Sequence, residues 1–99
     1  MKPDRRQGVY IWVTPSPLYV GSVAGAKART FDRREAEHRK LLAQGTHHND
    51  RLQAEWARSG GNGWRQVRIP LPRGDIAGAR FVESIIIKAL GKAVCNERG

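Results

Sequence analysis

Two tyrosines, Tyr10 and Tyr19, sit in short runs of β-branched and aromatic residues separated by Thr14-Pro15-Ser16-Pro17. Alternation along an extended strand puts Tyr10 and Trp12 on one face and Val9, Ile11 and Val13 on the other. A connecting turn with an even number of residues brings Tyr19 and Gly21 back to the Tyr10 face. Two phenols and a bare glycine then lie close together, either as packed tyrosines with hydroxyls at the rim or as a pair of titratable groups. Further along, Arg34 and His38 share an i, i+4 stripe with Leu41 and Leu42, so a guanidinium and an imidazole lie on the face that looks inward. Taken alone, Arg34 reads as a snorkelling or ion-paired side chain. Glu83 is the sharpest anomaly, because Ile76, Ala79, Ile86, Ile87 and Leu90 surround it on a helical wheel. A carboxylate among isoleucines costs several kcal/mol unless a cation or donors compensate it. Either Arg34, as a structural ion pair, or a bound metal would serve.

The elements that must position these groups follow from local pattern. Gly8–Val13 and Leu18–Val23 read as strands joined by the proline turn. Ala24–Thr30, with glycine and basic residues, reads as a loop. Asp32 caps a helix running to Gln44 with Gly45 as its stop, and Asn49 or Asp50 caps a second, short one containing Leu52, Gln53 and Trp56. After Ser59-Gly60-Gly61-Asn62-Gly63, Trp64–Leu71 reads as a third strand, closed by Pro70 and Pro72. Asp75 starts a third helix reaching Leu90, and the tail from Lys92 to Gly99 is irregular. The order β-β-α-α-β-α implies an α+β fold with a small three-stranded, mainly antiparallel sheet flanked by helices.

Size and charge narrow the partners. At 99 residues the chain is expected to be a single domain, residues 1–99. The longest apolar run, Ile85-Ile86-Ile87, is far too short to span a bilayer, and the charged N-terminus lacks the apolar stretch of a signal peptide. A lone cysteine, Cys95, fits a reducing compartment and hence the cytoplasm. Eighteen Lys+Arg against nine Asp+Glu give a net charge of +9, which points to a polyanionic partner, nucleic acid ahead of an anionic membrane. A membrane-surface role would need a basic amphipathic helix with large apolar residues, and the first helix offers only Leu41 and Leu42. His38, His47 and His48 match no zinc-ligand spacing. Gly60-Gly61-Asn62-Gly63 follows a helix and precedes a strand, the wrong order for a phosphate-binding loop.

Gly8-Val9-Tyr10 and Tyr19-Val20-Gly21, followed by Arg34, His38, Gly45, His47, Leu52-Gln53, Trp56, Glu83 and Asn96, resemble the GIY-YIG nuclease family, in particular its phage and intron-homing branch. The resemblance runs from Gly8 to Asn96. Both signature triplets carry valine in place of isoleucine, and the segment between Gly21 and Arg34 is a few residues longer than usual. That length leaves Arg29 or Arg34 as the family arginine; the four-residue step to His38 and the nine-residue step from there to His47 favour Arg34. The homing enzymes also carry a separate DNA-recognition domain, for which this chain has no room.

The resemblance implies a DNA endonuclease that hydrolyses phosphodiester bonds with one divalent metal, Mg²⁺ or Mn²⁺, in a bacterial or phage-infected cell. Tyr10 would be the general base and Tyr19 would hydrogen-bond the water or a phosphate oxygen. Arg34 would hold the scissile phosphate, His38 would orient a phosphate or relay a proton, and Glu83 would hold the metal. Gly21, Lys27, Arg29, His47 and Asn96 would complete the DNA-binding set, with Asn96 also ordering the surroundings of Glu83. The alternative is a catalytically inactive nucleic-acid-binding module of the same fold. A protein partner or a dimer would supply recognition or a second cut.

Overall fold

The computed structural model describes residues 3–96. The two tyrosine-bearing runs form β1 (Gln7–Val13) and β2 (Leu18–Val23), paired antiparallel with Tyr10 opposite Gly21 and Trp12 opposite Tyr19. The turn between them, residues 14–17, has the even count that returns Tyr19 to the Tyr10 face. A third strand, β3 (Arg65–Leu71), pairs antiparallel with the other edge of β1, giving the order β2-β1-β3. With α1 (Phe31–Gln44), α2 (Asp50–Ser59) and α3 (Ile76–Leu90), the element order is the expected β-β-α-α-β-α.

Strand alternation divides the interior into two layers of side chains. Tyr10, Trp12 and Tyr19 face Phe31 and Leu42 of α1 and Leu52 of α2. Val9 and Val20 face Ile87 of α3, with Ile11, Val82, Ile86 and Leu90 packed around them. Trp64 stacks edge-on against Trp12 at 5.7 Å and against Trp56 at 5.2 Å, which anchors α2 beneath the sheet. Its indole N–H donates to Ser59 Oγ at 2.9 Å, so Trp64 belongs to the turn and the strand begins one residue later than expected. Gly8 has φ of 150° and lies so close to β3 that a Cβ there would strike the Ile69 carbonyl. The first signature glycine thus brings central and edge strands together.

Two local expectations are corrected. Thr30, not Asp32, caps α1: its hydroxyl accepts from Arg33 N–H, while the Asp32 carboxylate takes the Asp4 N–H at 2.6 Å and Arg68 Nη1 at 2.8 Å. Arg68 also reaches Asp4 and Glu35, so one guanidinium ties the N-terminal segment, β3 and α1 together. The tail is also more ordered than composition suggests. After a 3-10 turn at Gly91–Ala93, Val94 bridges Leu18 in parallel and Cys95 N–H donates to the Leu18 carbonyl at 2.7 Å. The open edge of β2 offers those backbone partners, and the tail satisfies them.

Candidate active site

The hydroxyl end of the Tyr10 ring lies against Gly21, where any Cβ would overlap the phenol. Tyr10 is 1% exposed, and burial, with the neighbouring Tyr19, pushes its phenol well above the usual value, while Arg34 opposes the rise. Burial likewise raises Tyr19, again opposed by Arg34. Arg34, half-buried on α1, is the cation whose charge reaches both hydroxyls. Arg29 lies on the exposed loop of residues 24–30 instead. Of the two candidate arginines, Arg34 is the one beside the tyrosines.

A hydrogen-bonded chain runs from Tyr10 into the interior. Tyr10 Oη meets His38 Nε2 at 2.7 Å, His38 Nδ1 meets His47 Nε2 at 2.7 Å, and the Asn49 N–H donates to His47 Nδ1 at 3.0 Å. His38 is fully buried and His47 nearly so, and burial lowers them to about 3 and about 4. Both rings are neutral at pH 7, so each has one donor and one acceptor nitrogen. The backbone N–H decides the direction. Since His47 Nδ1 accepts, its Nε2–H donates to His38 Nδ1, and His38 Nε2–H donates to Tyr10 Oη. The tyrosine oxygen is therefore an acceptor, and its own proton is free to be donated or given up.

The same neutrality sets the acid stability. Unfolded histidines take up protons near pH 6.5 while these two do not until about 3 and about 4, so stability is complete above about pH 6.5 and falls as the pH drops. Urea titrations between about pH 6 and pH 4.5 are expected to lose roughly 2.7 kcal/mol per pH unit from the pair. A His47→Gln variant should show about half that slope. Equal slopes in the two proteins would rule out a neutral, buried His47.

Glu83 lies on α3, on the opposite side of the Gly21–Ser22 backbone from Tyr10. Its Oε1 accepts from Ser22 Oγ at 2.8 Å, and its charge adds to the upward shift of both phenols. It is half-buried and makes no ion pair among the described residues. Arg34 instead approaches Glu37, at 3.9 Å. The described residues hold no group of three or more His, Cys, Asp or Glu that could bind a metal together. A single unpaired carboxylate suits Mg²⁺, which takes oxygen ligands and keeps several waters.

The remaining expected residues are dispersed. Lys27 is exposed on the same loop as Arg29. His47, expected to touch DNA, is buried beneath His38. Asn96 spends its amide on Val20, accepting its N–H at 2.9 Å and donating to its carbonyl at 2.6 Å, and so fastens the tail to β2 rather than ordering Glu83. Ser22 is the partner of Glu83 that sequence reasoning missed. The same alternation that puts Gly21 on the tyrosine face puts Ser22 on the α3 face. His48 was also missed: its Nε2 lies 3.2 Å from Tyr19 Oη, and the ring stacks on His47.

No protein-family model and no curated protein sequence matches this chain. Among solved structures it is similar to the catalytic domain of homing endonuclease I-TevI, with a TM-score of 0.77 and 22% identity over 95% of this chain and 100% of that one. It is also similar to a glutamate-to-alanine mutant of the catalytic domain of intron endonuclease I-TevI, with a TM-score of 0.71 and 24% identity over 86% of this chain and 84% of that one. The β-β-α-α-β-α chain thus has the fold of the I-TevI catalytic domain, the structural neighbour expected of a GIY-YIG-like sequence.

Proposed function

We propose that this protein is a metal-dependent endonuclease that hydrolyses phosphodiester bonds in DNA. One observation carries the reading: two phenols, a guanidinium and a half-buried carboxylate without a cation partner gather around Gly21. In this reading Tyr10 takes the proton of the attacking water, and Tyr19 hydrogen-bonds the water or a phosphate oxygen. Arg34 offers its planar fork to the phosphate and to the charge that grows there in the transition state. Glu83, oriented by the Ser22 hydroxyl, would hold Mg²⁺ (or Mn²⁺), and such an ion would supply charge stabilisation for the leaving 3′ oxygen.

Burial keeps Tyr10 neutral in the free protein, so it must first release its own proton to solvent, and the phenolate then takes the proton of the attacking water. Holding an ordinary phenol ionised at pH 7 costs about 4 kcal/mol, and burial adds to that. The donor from His38 and the charge of Arg34 offset part of the cost by favouring the phenolate oxygen. His38 therefore orients Tyr10 and feeds it a hydrogen bond. The inactive binding module is the less favoured reading, because such a module has no need of an unpaired carboxylate beside the tyrosines. A single site cuts one strand, so a double-strand break would take a dimer, a partner or two visits.

Plasmid nicking in Mg²⁺, with an EDTA control, tests the reading. Tyr10→Phe should lower the rate roughly 10²–10⁴-fold, the usual share of general-base catalysis. The parent rate should climb about tenfold per pH unit from pH 7 to 9, since the ionised fraction of a high-pKa base grows in that proportion. Undiminished cutting in EDTA would remove the metal role, and a rate flat in pH would remove the tyrosine base.

A further inference from the structure

One cavity adjoins the site, and a second adjoins the first. One, of about 370 Å³, runs from Ser22 and Arg34 past Arg29 and Arg33. The other, of about 590 Å³, shares Ala28, Thr30 and Arg33 with it and continues past Lys27, Arg5 and Arg73. The two meet at that shared wall, and their linings together trace a basic channel leading away from Arg34. Arg5, Lys27, Arg29, Arg33 and Arg73 are all exposed, and none of them makes an ion pair among the described residues. The two acids that line the channel are already engaged, Asp32 by Arg68 and Glu37 by Arg34.

The walls are held from within. Gln7, 1% exposed, donates its amide to the carbonyls of Ala26 at 3.0 Å and Arg29 at 2.7 Å, and accepts the Gly74 N–H at 2.8 Å. One buried side chain thus fixes both the loop bearing Lys27 and Arg29 and the turn bearing Arg73, whose guanidinium also donates to the Lys27 carbonyl at 3.1 Å. The opposite wall, around Arg5, is fastened by the Phe31 N–H to the Arg6 carbonyl and by the Asp4–Asp32 bond. The longer segment between Gly21 and Arg34 supplies much of this surface.

We propose that this channel holds the sugar–phosphate backbone of duplex DNA flanking the bond to be cut, an inference that rests on the proposed nuclease activity. Unpaired guanidinium forks carried on a braced backbone suit phosphate oxygens. Neither cavity is lined by an aromatic residue, so there is no platform on which an unpaired base could stack, as single-strand binders provide. The channel thus positions DNA without reading its sequence.

Binding is measured in EDTA, where no cutting occurs, by fluorescence anisotropy on a duplex of about 20 base pairs across roughly 50–300 mM salt. The triple variant Arg5→Gln/Arg33→Gln/Arg73→Gln is expected to flatten the slope of log K against log salt by about 2–3, near 0.9 per lost phosphate contact. A control of equal charge loss, Lys40→Gln/Arg65→Gln/Lys88→Gln, should leave that slope nearly unchanged. Equal slopes for parent and channel variant, an equal loss in the control, or single-stranded DNA bound as tightly as duplex would each overturn the proposal. Because binding is read without metal, an absence of nicking by the parent protein in Mg²⁺, with the slopes as expected, would refute only the nuclease reading.

Discussion

Glu83→Gln is expected to abolish Mg²⁺-dependent nicking while leaving the fold intact. The glutamine carbonyl keeps an acceptor for the Ser22 hydroxyl that now donates to Glu83 Oε1 at 2.8 Å, so packing on the α3 face is undisturbed. What disappears is the negative charge. An uncharged amide is a poor ligand for a hard divalent ion, and loss of a principal electrostatic group costs roughly 10²–10³-fold or more in rate. Far-UV circular dichroism and Tm should match the parent within the few tenths of a kcal/mol typical of a partly exposed substitution. The variant should also lower both phenol pKa values, because the Glu83 charge is one of the influences raising them. If Glu83→Gln cuts as fast as the parent, the metal is held elsewhere or not at all.

The second large effect is expected at a residue with no side chain. A Cβ on Gly21 would overlap both the ring and the hydroxyl of Tyr10, and the ring cannot retreat. His38 and Trp12 are fully buried around it, and Phe31 and Leu42 close the same layer. Gly21→Ala must therefore push the phenol off His38 or part β1 from β2. Overpacking of this kind costs typically about 1–3 kcal/mol, and breaking the 2.7 Å bond leaves the buried His38 Nε2–H without a partner, about 1–3 kcal/mol more. Chemical denaturation should show that loss, and nicking should fall about 10²-fold or further even in the folded fraction, as misplacement of a catalytic group by an ångström does. A Gly21→Ala protein with parental stability and activity would mean that Tyr10 does not lie over residue 21.

These two positions also show how much was legible in the linear chain. The period-2 pattern of Gly8–Val13 and Leu18–Val23, joined by a four-residue turn, was enough to put Tyr10, Tyr19 and Gly21 on one face. The 3.6-residue period set Arg34 in line with His38, and Glu83 among apolar neighbours. Each is a consequence of local geometry, in which neighbouring side chains are related by fixed angles. The Asp75 cap was readable for the same reason, and of the two residues left open for α2, Asn49 or Asp50, the structure selects Asn49; each capping side chain bonds an N–H three residues on.

What the order of residues determined alone was therefore which side chains share a face within each element, and a net positive charge in want of a polyanion. Tertiary structure decided the rest. It set α1 and α2 against one side of the sheet and α3 against the other, so that Glu83 approaches the tyrosines across the Gly21–Ser22 backbone. It turned His47 inward to fix the tautomer of His38, gave Ser22 to Glu83 and Asn96 to Val20, and made Gln7 the hub of the basic channel. These bonds join residues from separate elements. Their distances depend on how layers dock and on which buried donors and acceptors remain to be paired, and no periodicity within one element carries that information.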